Sequence, residues 1–569
     1  MLVGLDHRGA ESTGQVGSVR LSPVPPRNAI VSDAARLAAR LGDEAYFAAQ
    51  CWRSGLLGPE PPRRLARLAL AFARFGMLGG AIGMAAVRHG DRVGVIDDRG
   101  ELTYRQLEER TNALANAWRE RGLQAGEGVT ILARNHRGFL EAVLAAAKCG
   151  ARIVLLNTSF AGPQIREVAG REGTDLLVYD DEYAEMLEGV QPSRGRWRAW
   201  SEQPGPDTLD ALIAGSHTKT PPKPAHGPRV TILTSGTTGT PKGAPRPEPK
   251  SLSIVGGPLG KVPFRAREVT ELCAPMFHAL GFAHALIGIA LGSTLVLRRR
   301  FDPEATLASM ERHGVTAMIV VPVMLQRILA SFDRQAAAGE RHDYSSLRII
   351  FVSGSALGPD LARRAMEDFG PVVYNLYGST EIAYATIATP DDLQAELGCA
   401  GKIVRGSVVK ILDERGEEVP VGTTGRVFVG NLVQFEGYTG GGGKEEVGGL
   451  LSSGDVGHFD QQGRLFIDGR DDEMILSGGE NVFPAEVEEL LAGHEAIDEA
   501  AAVGVQDEQF GQRLKAFVVL RDGASLGEQE IKDYVRAKLA PYKAPREVVF
   551  LQELPRTSTG KVLKRELAG

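Results

Sequence analysis

The chain has 569 residues, 43% of them hydrophobic and 24% charged, which is too long for one ordinary domain and too apolar for a disordered polymer. Basic residues number 65 against 71 acidic, a net charge of -6, so the basic excess of a nucleic-acid-binding chain is absent. Cys51, Cys149, Cys273 and Cys399 are scattered without CxxC spacing, which argues against a disulfide framework or zinc-thiolate site and for a reducing compartment.

The first residues lack an apolar secretory core, since Asp6, His7 and Arg8 come almost at once. No charge-free apolar run reaches the ~20 residues needed to span a bilayer. A cytoplasmic location is therefore expected, with membrane association left open by one segment described below. Residues 1–30 are rich in Gly, Ser and Pro and read as a leader, followed by a helix over 32–52. Residues 63–88 place Leu65, Leu68, Phe72 and Phe75 at helical spacing among four arginines. This segment suits either an in-plane membrane contact or a helix packed on the body. The packed helix is favoured, because Gly76, Gly79, Gly80 and Gly83 weaken a free helix.

From residue 91 the texture is that of a parallel α/β fold. Strands are expected at 93–96, 129–133 and 153–156, with helices at 104–121 (opened by a Thr103/Gln106 capping box) and 139–149. Further strands follow at 230–233, 269–272, 293–297, 317–321 and 348–352. Beyond 400 come short β runs at 408–412, 425–429 and 464–467. A last α+β stretch has helices at 485–491 and 528–539 and strands at 500–505, 515–520 and 547–550. The expected architecture is α/β: a large domain over 91–470 with parallel sheets and a β-rich subdomain, and a small mobile α+β domain over 471–569. Residues 1–90 form a partly helical extension.

Five strings carry chemistry. Thr234-Ser235-Gly236-Thr237-Thr238-Gly239-Thr240-Pro241-Lys242-Gly243 follows the strand ending at Leu233. Glycines let backbone N–H groups turn toward an anion, and hydroxyls plus one ammonium add donors, a combination suited to a polyphosphate. It is not the GxxxxGK[ST] loop, since Lys242 is followed by Gly243. Tyr374-Asn375-Leu376-Tyr377-Gly378-Ser379-Thr380-Glu381 offers an aromatic face, a phosphate donor and a hard oxygen ligand for Mg²⁺. Ser453-Gly454-Asp455 can accept sugar hydroxyls, although a turn aspartate is the plainer reading. Gly469-Arg470-Asp471-Asp472 with Ser477-Gly478-Gly479 sits between the β-rich and terminal stretches, and Pro555-Arg556-Thr557-Ser558-Thr559-Gly560-Lys561 lies near the C-terminus.

Taken together and in this order, the strings resemble those of the adenylate-forming superfamily: acyl-CoA synthetases, peptide-synthetase adenylation domains and luciferases. The resemblance covers about 90–569. It implies that a carboxylate attacks the α-phosphate of ATP to give an acyl-adenylate and pyrophosphate, after which a thiol, expected to be CoA, displaces AMP. By this resemblance Ser235 to Lys242 would hold the pyrophosphate end and Gly354-Ser355-Ala356 would line adenine. Tyr377, next to Gly378, would stack on the base, Thr380 would touch phosphate and Glu381 would bind Mg²⁺. Asp455 and Arg470 would take the ribose. Lys561 would be the adenylation lysine, suited by its compact charge on a long stem. Asp472 would be the hinge, and Gly478 and Gly479 would let the pantetheine arm of CoA pass.

Pro275-Met276-Phe277-His278-Ala279-Leu280-Gly281 resembles the acyl-pocket motif, with His278 beside the carboxylate, though a core histidine fits the residues equally. The small apolar residues that follow favour a medium- or long-chain fatty acid. A carrier-protein thiol as acceptor, or an aryl or short-chain acid, is the alternative; a homodimer is compatible with the sequence. Many relatives carry a histidine shortly after Lys242-Gly243, where this chain has Ala244-Pro245-Arg246-Pro247.

Overall fold

A computed structural model describes residues 33–567 apart from 235–241, 247–250, 341, 434–436, 472, 474, 478–479, 508–510, 540–542 and 558–559. Two parallel sheets form the body. One has the order Arg196–Trp200, Leu176–Asp180, Gly128–Leu132, Arg152–Leu155, Arg229–Thr234, with Lys242–Arg246 antiparallel at its edge. Its central strands are buried along their whole length, as expected where helices cover both faces.

The second sheet is longer. Val93–Asp97, Thr294–Leu297, Val269–Leu272, Ala317–Val320, Ile349–Val352 and Val373–Ser379 run parallel. The β-rich stretch then continues the same sheet antiparallel through Ala383–Ala388, Gly401–Ile403, Arg464–Arg470, Leu450–Phe459, Gly425–Asn431 and Ser407–Leu412. It keeps its own core around Val409, Ile411, Val427 and Val429. The terminal stretch forms a separate five-stranded sheet with its own core, centred on Val482, Val487, Ile497, Val518 and Ile531.

The local causes are visible at several helices. Gln106 N–H donates to Thr103 Oγ1 and Thr103 N–H to Gln106 Oε1, so the expected capping box opens Tyr104–Glu120. The next helix, Arg137–Cys149, starts two residues earlier than its apolar pattern, because His136 Nδ1 accepts the Gly138 N–H at 3.1 Å and acts as the cap. It closes on Gly150 at φ 73°. Strands Ile497–Asp507 and Gly511–Leu520 outrun their apolar centres, since they pair with each other from Ile497 opposite Leu520 to Asp507 opposite Gly511.

Lys148 is fully buried in the body. Its ammonium donates to Glu108 Oε2 (2.6 Å), Asn112 Oδ1 (2.7 Å) and Thr111 Oγ1 (2.8 Å), one acceptor for each proton. The four cysteines are free thiols; Cys51, Cys149 and Cys399 are buried, and burial pushes each of these thiols up.

Candidate active site

The site residues meet at the C-terminal ends of the parallel strands, where open α/β sheets bind ligands. The Gly354-Ser355-Ala356 turn leaves strand Ile349–Val352, and its neighbour Val373–Ser379 carries Tyr377. All three turn residues are exposed, and Gly354 adopts φ 102°. Gly378 is required for packing: a Cβ there would lie 2.0 Å from the Ala383 carbonyl oxygen.

Tyr377 reaches across to the β-rich stretch. Its hydroxyl donates to Asp455 Oδ2 at 2.6 Å, while Arg470 Nη1 donates to Asp455 Oδ1 at 3.0 Å. Four strand steps separate Tyr377 from Asp455, about 19 Å on a flat sheet. The sheet therefore curls, and Asn431 Nδ2 donating to Ile382 O and Tyr384 O fastens the curl. Burial, with the Asp455 carboxylate beside it, raises the Tyr377 phenol well above its ordinary range, so it stays a neutral donor.

Glu381 is buried, and each of its oxygens accepts one hydroxyl: Ser379 Oγ at 2.8 Å and Tyr438 Oη at 2.9 Å. Thr380 lies beside it, half-buried. Lys242 stands 5.2 Å from the Tyr438 ring centroid, a cation–π distance. The next residue, Thr439, closes the arrangement. Gly243 N–H donates to Thr439 Oγ1, Thr439 N–H to Gly243 O, and Thr439 Oγ1 to Glu172 Oε1 at 2.6 Å. Here Thr439 anchors the strand that follows the hydroxyl-rich string. A Cβ at Gly243 would lie 2.4 Å from Thr439 Oγ1, which explains the glycine.

Ser235, Gly236, Thr237, Thr238, Gly239, Asp472, Gly478 and Gly479 lie outside the described residues; of Thr234 the backbone is described, paired with Lys242. On either side of Asp472 the side-chain anchoring changes body, while the Glu473 N–H still donates to Arg470 O. Asp471 N–H donates to Gly454 O, and its carboxylate takes Arg426 Nε at 2.9 Å, both from the large body. Glu473 pairs with Lys564 of the terminal unit at 2.7 Å.

The lysine string of the terminal unit touches the body. Thr557 N–H donates to Lys561 O and Lys561 N–H to Thr557 Oγ1, making a tight turn with Gly560 at φ 78°. A Cβ on Gly560 would lie 2.1 Å from Val323 Cγ1, and one on Gly354 would lie 3.2 Å from Val321 Cγ1. Val323 and Val321 of one body segment thus border the Lys561 turn and the Gly354 turn respectively. The Lys561 side chain is exposed.

His278 precedes helix Ala279–Leu291, its ring 4.6 Å from that of Phe277. Burial lowers its pKa to about 4, so it is neutral near pH 7. Its Nε2 is buried and has no hydrogen-bond partner among the described residues. Tyr438, Thr439 and Glu172 were not singled out from sequence; only the glycine run at 440–443 hints at a turn beside them.

Two family models match: AMP-binding enzyme over residues 84–439 and AMP-binding enzyme C-terminal domain over 486–561. The chain belongs to the AMP-binding enzyme family. Within that family it is 34% identical to a feruloyl-CoA synthase of an Amycolatopsis species over 85% of this chain and 95% of the relative. It is 32% identical to the indoleacetate–CoA ligase of Aromatoleum aromaticum over 82% and 92%. The solved o-succinylbenzoate-CoA synthetase of Bacillus subtilis, bound to its acyl-adenylate intermediate, superposes with a TM-score of 0.75 at 25% identity over 86% of this chain and 98% of that one. The chain is thus an enzyme of the acid–thiol ligase class, in a family whose named relatives are acyl- and aryl-CoA ligases.

Proposed function

We propose that the enzyme activates an apolar carboxylic acid, an aromatic one first, and passes it to CoA. The juxtaposition that carries the activation chemistry is the Lys561 turn seated on Val323, one residue beyond Pro322 from the Val321 that borders the Gly354 turn. In this reading Tyr377 offers its ring to adenine while its hydroxyl steadies Asp455. Asp455 and Arg470 receive the ribose hydroxyls. Lys242, Thr380 and the string 234–239 neutralise the phosphates, and Lys561 balances the charge that builds between carboxylate and α-phosphate. Neutral His278 holds the acid: its unpartnered Nε2 is a buried polar atom in want of an oxygen.

Glu381 suits Mg²⁺. No cluster of three His, Cys, Asp or Glu side chains forms a cage among the described residues. One carboxylate completed by substrate phosphates is an ordinary way to hold that ion, and each Glu381 oxygen, accepting one hydrogen bond, keeps a lone pair for it. When bound, the ion would supply charge neutralisation at the phosphates. The change of anchoring between Asp471 and Glu473 supports Asp472 as the hinge of a mobile terminal domain, with Gly478 and Gly479 admitting the pantetheine arm.

An aromatic acid is favoured by the relatives named for feruloyl and indoleacetate substrates. A fatty acid is the second reading, favoured by the small residues of Ala279–Leu291. AMP release across ferulate, indoleacetate, benzoate, octanoate and palmitate, with and without CoA, decides. CoA-dependent turnover greatest with the aromatic acids supports the proposal. A preference for octanoate or palmitate selects the second reading, and no AMP release with any acid overturns both.

A further inference from the structure

The helix Pro62–His89 is long and apolar enough to cross a membrane by length and composition. It does not run straight. Gly76 has φ 69° and ψ -160°, which breaks the helix into two arms. The second arm is buried against helices Tyr104–Glu120, Arg137–Cys149 and Ala279–Leu291. The first folds back on it: a Cβ at Gly80 would lie 2.9 Å from the Ala71 carbonyl oxygen, and one at Gly83 would lie 3.6 Å from Ala71 Cβ. The glycines that weaken a free helix here let two arms pack as a hairpin.

The outer arm, 62–75, covers about 21 Å at 1.5 Å per residue, short of the ~30 Å hydrocarbon core. Its outward face is apolar: Leu65, Leu70 and Phe72 are 57%, 58% and 51% exposed, and Ala66, Ala69 and Ala73 are exposed with them. Arg63, Arg67 and Arg74 fall within about 40° of one another on a wheel of 3.6 residues per turn, forming a basic stripe along one edge of that face. From Pro61 to Gly90 there are five arginines and no acidic residue, in a chain whose net charge is -6. Among the described residues, only Arg64 and Arg88 of this region form ion pairs, both with Glu60.

We propose that this outer arm is a docking surface for an anionic lipid bilayer, lying in the interface with Leu65, Leu70 and Phe72 among the acyl chains and the arginine stripe at the phosphates. The charge selects this occupant. A second copy would bring the same positive arm against itself. Residues 1–32, with Asp6 and Glu11 against Arg8, Arg20 and Arg27, supply no acidic complement. An amphipathic arm too short to span, apolar outward and edged with arginine, is the form that binds in-plane, its arginine stems lying on the apolar face with their heads in the headgroups. The inference is independent of which acid the enzyme activates.

The test is co-sedimentation of the full chain with phosphatidylcholine vesicles, with and without phosphatidylglycerol. It uses wild type and two triple variants, Leu65→Ser/Leu70→Ser/Phe72→Ser and Arg63→Gln/Arg67→Gln/Arg74→Gln. Wild type is expected to bind the anionic vesicles at least tenfold more tightly than the neutral ones. Each variant should lose at least tenfold on anionic vesicles while keeping its melting curve and ATP–pyrophosphate exchange. No binding of wild type to anionic vesicles, or equal binding by wild type and the arginine variant, overturns the proposal. So does a wild-type dimer in sedimentation equilibrium that the serine variant dissociates without any change in vesicle binding.

Discussion

Gly560 of the terminal unit is seated on Val323 of the body so closely that no side chain fits between them. The contact places the Lys561 turn over the segment that also borders the Gly354 turn. In the proposed reading this is the arrangement that would serve the first, adenylate-forming step.

Lys561→Ala should reduce ATP–pyrophosphate exchange by at least 10²-fold and leave CoA attack on supplied acyl-adenylate within about threefold of wild type. Gly560→Ala should slow exchange about tenfold, because the turn needs φ 78° and the added methyl meets Val323. Val323→Ala in the same chain should recover part of that loss. Exchange at the wild-type rate in Lys561→Ala would remove the lysine from the first step.

Tyr377→Phe keeps the ring and deletes the hydroxyl that Asp455 accepts at 2.6 Å. A hydrogen bond to a carboxylate contributes roughly 1.5–3 kcal/mol, so the KM for ATP should rise about 10- to 100-fold. Discrimination between ATP and 2′-deoxy-ATP should shrink, since Asp455 loses one of its two restraints. Equal KM values in the two proteins would separate the phenol from ribose binding.

Burial holds His278 neutral in the fold down to about pH 4, whereas the unfolded chain protonates it near 6.5. Between these values the unfolded state binds the extra proton, so stability is constant above about 6.5 and falls as pH drops toward 4. His89 and His284, also lowered to about 4 by burial, act in the same direction. His278→Gln should flatten this dependence by about 1–3 kcal/mol, read from urea unfolding at pH 7.5 and 4.5. An unchanged slope would place a charged imidazole at 278 in the folded enzyme.

Lys148→Met should lower body stability by about 2–4 kcal/mol, because Glu108, Thr111 and Asn112 lose the ammonium that satisfies all three. Adding Glu108→Gln to the Lys148→Met chain should recover part of the loss. A chemical-denaturation midpoint equal to wild type in the single variant would make the cluster energetically neutral.

Much of this was legible beforehand. The Thr103/Gln106 box, the apolar parallel strands and the order of the five strings depend on residues near one another in sequence. The parts that were not legible depend on distance. Tyr438 reaches Glu381 across 57 positions, and Thr439 reaches Glu172 across 267. Strand Arg196–Trp200 reads as basic and aromatic rather than as a buried run, because it is an edge strand whose Trp200 is covered by the guanidinium groups of Arg99 and Arg299. His136 is a rare helix cap and leaves no compositional mark. The reversal at Gly76 could not be told from an ordinary helical glycine, since only its dihedral angles distinguish the two.

The curled sheet has one further consequence. Tyr377 and Asp455 ride on a single hydrogen-bonded plank, so in the proposed reading purine and sugar would stay clasped whatever the terminal unit does. In that reading the triphosphate tail would be the part of the nucleotide that meets both halves of the molecule. Spent nucleotide should thus leave at a pace set by the plank, and the swing of the tail-end lysine should govern only when the second substrate is let in.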